Sequence, residues 1–91
     1  MLTKTMTLAP EDFFHARPAS RIAAAAKPFQ SMVMVCLGTE LADAKNAFSL
    51  MRLSHPRGGP FDLLADGPDE SEALETVARA VQAAFSEADG F

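Results

Sequence analysis

The pentapeptide His15-Ala16-Arg17-Pro18-Ala19 places an imidazole two residues before a guanidinium, at the mouth of a predicted helix. A neutral imidazole is a good nucleophile toward phosphorus near its reference pKa of about 6.5. The phosphoramidate that results is high in energy and can be passed onward. The first N–H groups of a helix have no intrahelical acceptor and lie at the positive end of its dipole, so a helix starting near Ala16 also receives phosphate oxygens. Arg17 adds a charge-assisted hydrogen bond. Pro18 stiffens the first turn, where its missing N–H costs nothing. The chemistry these residues point to is reversible phosphorylation of His15.

The rest of the chain bounds what can surround that chemistry. Ninety-one residues, 48% of them hydrophobic, make one small domain over 1–91, with no room for a large enclosed pocket. No apolar run approaches the roughly 20 residues that span a bilayer. The first residues lack the apolar core of a signal peptide, so a cytoplasmic protein without membrane insertion is expected. Cys36 is the single cysteine, which excludes an intramolecular disulfide and suits a reducing compartment. It lies in an apolar run and reads as a buried, inert thiol. His55, in Ser54-His55-Pro56-Arg57, reads as a solvated loop residue with no ligand spacing to His15, so no metal is expected. No Gly-rich phosphate loop is present, and no cofactor is implied.

The net charge of −4 is unevenly spread. Residues 13–60 hold six basic residues (Arg17, Arg21, Lys27, Lys45, Arg52, Arg57) against Glu40 and Asp43, whereas residues 61–91 hold Arg79 against eight acids. A basic segment around His15 suits docking to an acidic protein partner. Nucleic acid is a poor partner, because the chain is acidic overall and no aromatics are interleaved with its basic residues.

The elements that must position His15 are legible in the spacing of apolar residues. Residues 2–8 alternate Leu2, Lys4, Met6 and Leu8 with threonines, as in an edge-prone strand. Residues 16–27 read as a helix with a narrow stripe of Ala19, Ile22, Ala23 and Ala26, stopped by Pro28. Residues 32–37 read as a buried central strand, and Gly38-Thr39 turns the chain into a short strand near Glu40 to Asp43. Residues 46–53 form a short second helix capped by Asn46. Residues 54–60 read as a loop and 61–65 as a fourth strand. In the last helix Asp69 is the expected N-cap, with Glu72 completing a capping box. Leu74, Val77, Ala78, Val81, Ala84 and Phe85 share its apolar face, and its carboxylates form a solvated one. The order β-α-β-β-α-β-α implies a two-layer α/β open-faced sandwich: a four-stranded, mainly antiparallel sheet with three helices on one face.

His15-Ala16-Arg17-Pro18-Ala19 resembles the active-site motif of the HPr family, the histidine-containing phosphocarriers of the bacterial phosphoenolpyruvate-dependent phosphotransferase system. The resemblance covers nearly the whole chain. Ala44-Lys45-Asn46-Ala47-Phe48-Ser49-Leu50-Met51-Arg52-Leu53 sits where that family has its second motif, and residues 65–74 resemble the turn into its last helix. The resemblance implies that His15 takes phosphate on Nδ1 from phosphorylated enzyme I and gives it to a histidine of an enzyme IIA domain. It also implies that Arg17 stabilises the phosphate, and that the protein is a monomeric carrier and not an enzyme. Ala47, Phe48 and Met51 would supply the apolar part of the docking face. Arg21, Lys27, Lys45 and Arg52 would form its charged rim. Helical spacing buries Leu50 and Leu53 and leaves Phe48 and Met51 exposed.

Two positions depart from the family pattern. Asn46 stands where many members carry a regulatory serine, so control by a kinase at that position is lost. Phe13-Phe14 stands where the family usually has glycine and an aliphatic residue, which alters the loop or widens the docking face. The Gly67-Pro68 turn and the acidic last helix lean toward the nitrogen-related NPr branch over sugar transport. The competing reading is a regulatory binding module that docks through Phe48 and Met51 without transferring phosphate. The nucleophile at His15 weighs against it.

Overall fold

The computed structural model describes residues 1–8, 14–53 and 59–88; His55, Arg57 and Phe13 lie outside them. The elements are β1 (Leu2–Leu8), α1 (Ala16–Ala26), β2 (Met32–Leu37), β3 (Glu40–Asp43), α2 (Ala47–Met51), β4 (Gly59–Asp66) and α3 (Glu70–Ala88). The strands form one sheet in the order β1-β4-β2-β3, with every neighbouring pair antiparallel. The two edge strands and the open-faced, two-layer arrangement agree with the expected fold.

Side chains alternate across the sheet with period two, and one face takes the core. Val33, Val35 and Leu37 of β2, Phe61, Leu63 and Ala65 of β4, Ala42 of β3 and Leu8 of β1 are buried on that face. Against them lie Ala19, Ile22, Ala23 and Ala26 of α1 and Ala73, Val77, Ala78, Val81 and Ala84 of α3. The alanines let α1 and α3 approach each other and the sheet closely, which the stripes in the sequence required. Gly38, with φ +63°, takes the first central position of the two-residue β2–β3 hairpin, where only glycine is unstrained.

Three expectations need correcting. The fourth strand runs over Gly59–Asp66 and not 61–65. Gly59 and Pro60 read as breakers, yet they pair only with β1, while β2 pairs with β4 from Asp62 to Asp66. Pro60 therefore sits where a ladder is needed on one side alone. Residues 32–37 are not buried throughout: Met32 is exposed, and Met34 and Cys36 are half-buried on the uncovered face of the sheet. Cys36 is accordingly not a core thiol, although partial burial first, and then Asp62, push its pKa up and keep it protonated.

The third correction concerns the start of α3. The Asp69 carboxylate does not pair with Glu72 in a capping box but crosses to the α1–β2 connection. It accepts hydrogen bonds from the N–H groups of Gln30 (3.0 Å) and Ser31 (2.9 Å) and from the Ser31 hydroxyl. The hydroxyl oxygen in turn accepts from the Asp69 N–H at 3.2 Å. Asp69 still stands at the N-cap, its carbonyl accepting from the Ala73 N–H at 2.9 Å, while Glu70, the first residue of α3, reaches back to accept from the Gly67 N–H at 3.1 Å and is half-buried, not part of a solvated acidic face. Gly67, at φ +151°, lies so close to Ser31 that a Cβ there would fall 2.7 Å from its Cα and Oγ.

This latch generates two predictions. Gly67→Ala combines a steric clash with a strained φ and should destabilise the protein by about 2–3 kcal/mol in urea unfolding. Ser31→Ala should lower Tm at neutral pH by roughly 5 °C. The hydrogen bond donated by the Ser31 hydroxyl, then that from the Gln30 N–H, holds the Asp69 carboxyl below the usual range. A depressed carboxyl gives stability that is full above its unfolded value of about 4 and is lost as pH falls through the lower folded one. The gap in Tm between the wild type and Ser31→Ala should therefore shrink on acidification through that window.

Candidate functional site

His15 is the N-cap residue of α1. Its backbone is extended (φ −89°, ψ −176°), its carbonyl accepts the first helical bond from the Ala19 N–H at 3.0 Å, and its side chain makes no capping hydrogen bond to the helix. The imidazole is exposed. Ala16 and Arg17 occupy the first two helical positions, with N–H groups ahead of any i−4 acceptor in the helix. Pro18 fills the third, has no N–H, and is fully buried. The first turn carries no acidic residue to oppose an incoming anion. The positive pole of the dipole and the two amides thus lie where the imidazole leaves the backbone, with exposed Arg17 two residues on.

What holds His15 at that spot is the residue before it. Phe14 is 2% exposed and sits edge-on to Phe61 of β4 (centroids 5.5 Å apart, planes at 87°) and to Phe85 of α3 (5.6 Å, 75°). Such T-shaped pairs place the positive ring edge against the negative face and add to the burial. Phe14 therefore anchors the start of α1 in the core and does not itself widen a docking face; the part of that expectation resting on Phe13 lies outside the described residues. The sequence reading missed this anchoring role; the signal was a large apolar side chain directly preceding an exposed polar motif.

The second helix is short and needs its cap. Asn46 Oδ1 accepts from the N–H groups of Phe48 (2.9 Å) and Ser49 (3.2 Å). The Asp43 N–H donates to Ser49 Oγ, and the Lys45 N–H donates to Asp43 Oδ1, each at 2.9 Å. Lys45 Nζ donates to the Phe29 carbonyl at 2.6 Å, tying the start of α2 to the far end of α1. The two helices also pack together. Phe48 is 76% exposed and Met51 42%, as the spacing suggested, while Leu50 is buried and Leu53 and Ala47 pack partly against the core.

The charged residues divide. Arg21 lies one turn beyond Arg17 on α1 and is exposed, and Arg52 is the exposed C-cap of α2. Arg52 also lines a shallow groove with Glu40, Leu41, Ser49 and Leu53. Lys27 ends α1, about 18 Å along the helix axis from His15, and Lys45 is committed to Phe29. The structure does not bring these two lysines to the imidazole. A cleft of about 320 Å³ between β1 and α3 is lined by Lys4, Arg79 and neighbours and includes neither His15 nor Arg17. No three His, Cys, Asp or Glu side chains cluster for a metal among the described residues. None of their helices is long and apolar enough to cross a membrane.

A family model described as "PTS HPr component phosphorylation site" matches residues 2–83. The chain belongs to the HPr family. Phosphocarrier protein HPr of Treponema pallidum is 34% identical over 87 residues, covering 96% of this chain and 99% of that protein. Phosphocarrier protein NPr of Shewanella violacea is 30% identical, covering 96% of each. Among solved structures, an HPr from Thermoanaerobacter tengcongensis superposes with a TM-score of 0.81 at 28% identity, over 94% of this chain and 97% of that one. As a member of the HPr family the chain is a phosphocarrier component of the phosphotransferase system, and its relatives include both HPr and NPr proteins.

The Phe14 anchor and the Asn46 cap are separable by mutation. Phe14→Ala should cost about 3–5 kcal/mol in chemical denaturation, through lost burial and a cavity between Phe61 and Phe85. Asn46→Ala should cost about 1 kcal/mol, with amide exchange accelerated at Phe48 and Ser49, whereas Asn46→Ser should keep most of the cap.

Proposed function

We propose that His15 is the phosphorylated residue, that it accepts phosphate through Nδ1 from phosphorylated enzyme I, and that it donates to a histidine of an enzyme IIA protein. The observation that carries this reading is the exposed imidazole at the N-cap of α1, beside two first-turn amides and Arg17. In the loading step the Nδ1 lone pair attacks phosphorus, the N–P bond forms, and the bond to the donor breaks. The helix dipole and Arg17 spread the charge on the phosphoryl oxygens in both the bound and the transferring states. A carrier gains from holding phosphate only moderately, because each transfer must also run onward.

Exposed Phe48 and Met51 of α2, with Arg52 at its end and Arg17 and Arg21 on the adjoining α1, supply a modest apolar patch and basic residues to flank it. That composition suits transient docking to acidic partner surfaces. Ala47 contributes less, being largely packed on the core, and Lys27 and Lys45 lie at the far end of α1. The protein acts as a stoichiometric intermediate that turns over no small substrate, and the reading places it in the cytosol with its partners. The NPr relative supports a regulatory phosphate chain as the alternative setting for the same transfer chemistry.

Incubation with phosphoenolpyruvate and enzyme I should give one acid-labile, alkali-stable phosphoryl group per chain. His15→Ala should abolish it while leaving Tm within about 1–2 °C, since an exposed side chain adds little stability. Arg17→Ala should slow transfer by about 10²-fold, on the scale of one charge-stabilising donor. Phe48→Ser should raise the apparent KM for enzyme I by about tenfold with an unchanged melting curve. Labelling that persists in His15→Ala would overturn the assignment.

A further inference from the structure

The sheet face turned away from the helices bears threonines along β1 and an apolar strip across β2, β3 and β4. It carries Met32, Met34 and Cys36 of β2, Leu41 of β3 and Leu64 of β4, which the pairing register brings side by side: Cys36 opposite Leu41, and Met34 opposite Leu64. Met32 is 52% exposed and Leu41 64%, and the other three are half-buried. The charges on this face are all carboxylates. Asp43 pairs with Met34, Asp62 with Cys36 and Asp66 with Met32 in the same register. Asp66 lies 3.6 Å from the Met1 ammonium, so the negative field comes chiefly from Asp43 and Asp62. Among the described residues the strands place no lysine or arginine here; Lys4 belongs to the helix-facing side.

We infer that this open face is a second docking surface, for a protein segment in which an apolar stripe is flanked by lysine or arginine. A sheet bare on one side is completed by an amphipathic helix laid across it. Two methionines and a thiol give the soft, adaptable contacts that suit such a helix. The carboxylates select the sign of its flanks. They also disfavour a second copy of the same face, whose acids would meet across a two-fold axis, and an anionic lipid surface. The strand spacings bound the face at an area on the order of 300 Å², well under the ~800 Å² per partner of a stable dimer. The contact is therefore transient. It lies on the layer opposite the helices that hold His15, so it leaves the phosphorylation site uncovered and does not depend on the assignment of His15.

The test uses the full chain, isotope-labelled for NMR, and a synthetic amphipathic helix of about five turns with a leucine stripe flanked by lysines. A control peptide carries glutamates in their place. The expected result is saturable binding of the lysine peptide in the micromolar range, with amide shifts centred on β2, β3 and Leu64, and at least about tenfold weaker binding of the glutamate peptide. Leu41→Ser and Met32→Ser, both at exposed positions, should together weaken binding by at least about tenfold without changing the melting curve. His15→Ala should bind as the wild type does. Absence of saturable binding, equal binding of both peptides, shifts centred on α3 or around His15, or indifference to the paired serine variants would each overturn the inference. So would a stable dimer in sedimentation equilibrium that Leu41→Ser dissolves, which would identify the occupant as a second copy.

Discussion

One-sided burial governs this molecule. Period-two alternation sends Val33, Val35, Leu37, Phe61, Leu63 and Ala65 into a single apolar layer, and only α1 and α3, lined with alanines, are slim enough to close over it together. Everything chemical sits at the margins of that closure. His15 emerges where α1 begins, Phe48 and Met51 stand on the outer side of α2, and the second sheet face receives whatever the first cannot take.

The connections carry as much order as the core. Phe14 wedges between a strand and a helix and so fixes where α1 starts. Asp69 and Ser31 clasp the other end of the same helical layer, with Gly67 leaving the space for them. Lys45 and Asn46 do the equivalent work for α2. An N-cap histidine that is exposed yet placed by rigid neighbours can meet a partner with little loss of conformational entropy.

The helices were the most legible part of the sequence, because Ala19-Ile22-Ala23-Ala26 and Val77-Ala78-Val81-Ala84 repeat at helical spacing and bury a face as such repeats must. The Asn46 cap and the Gly38-Thr39 hairpin were legible from local chemistry. Interactions distant in sequence were not. Asp69 looked like an ordinary helix cap because its actual partner, Ser31, is 38 residues away. Pro60 looked like a strand breaker because nothing local says that β2 does not reach it. The run from Met32 to Leu37 looked uniformly buried because a continuous apolar stretch does not reveal that the sheet is covered on one side only. At the site, the His15 motif was plain, while the anchoring by Phe14 required knowing that Phe61 and Phe85 meet in space.

The brevity of α2 has its own consequence. Its fold is secured by Asn46, Ser49 and Leu50, whereas Phe48 and Met51 project from it with little part in that security. Substitutions at those two outer positions leave the scaffold nearly untouched. Under the docking role proposed for them, what the protein recognises could then change while the architecture stayed the same.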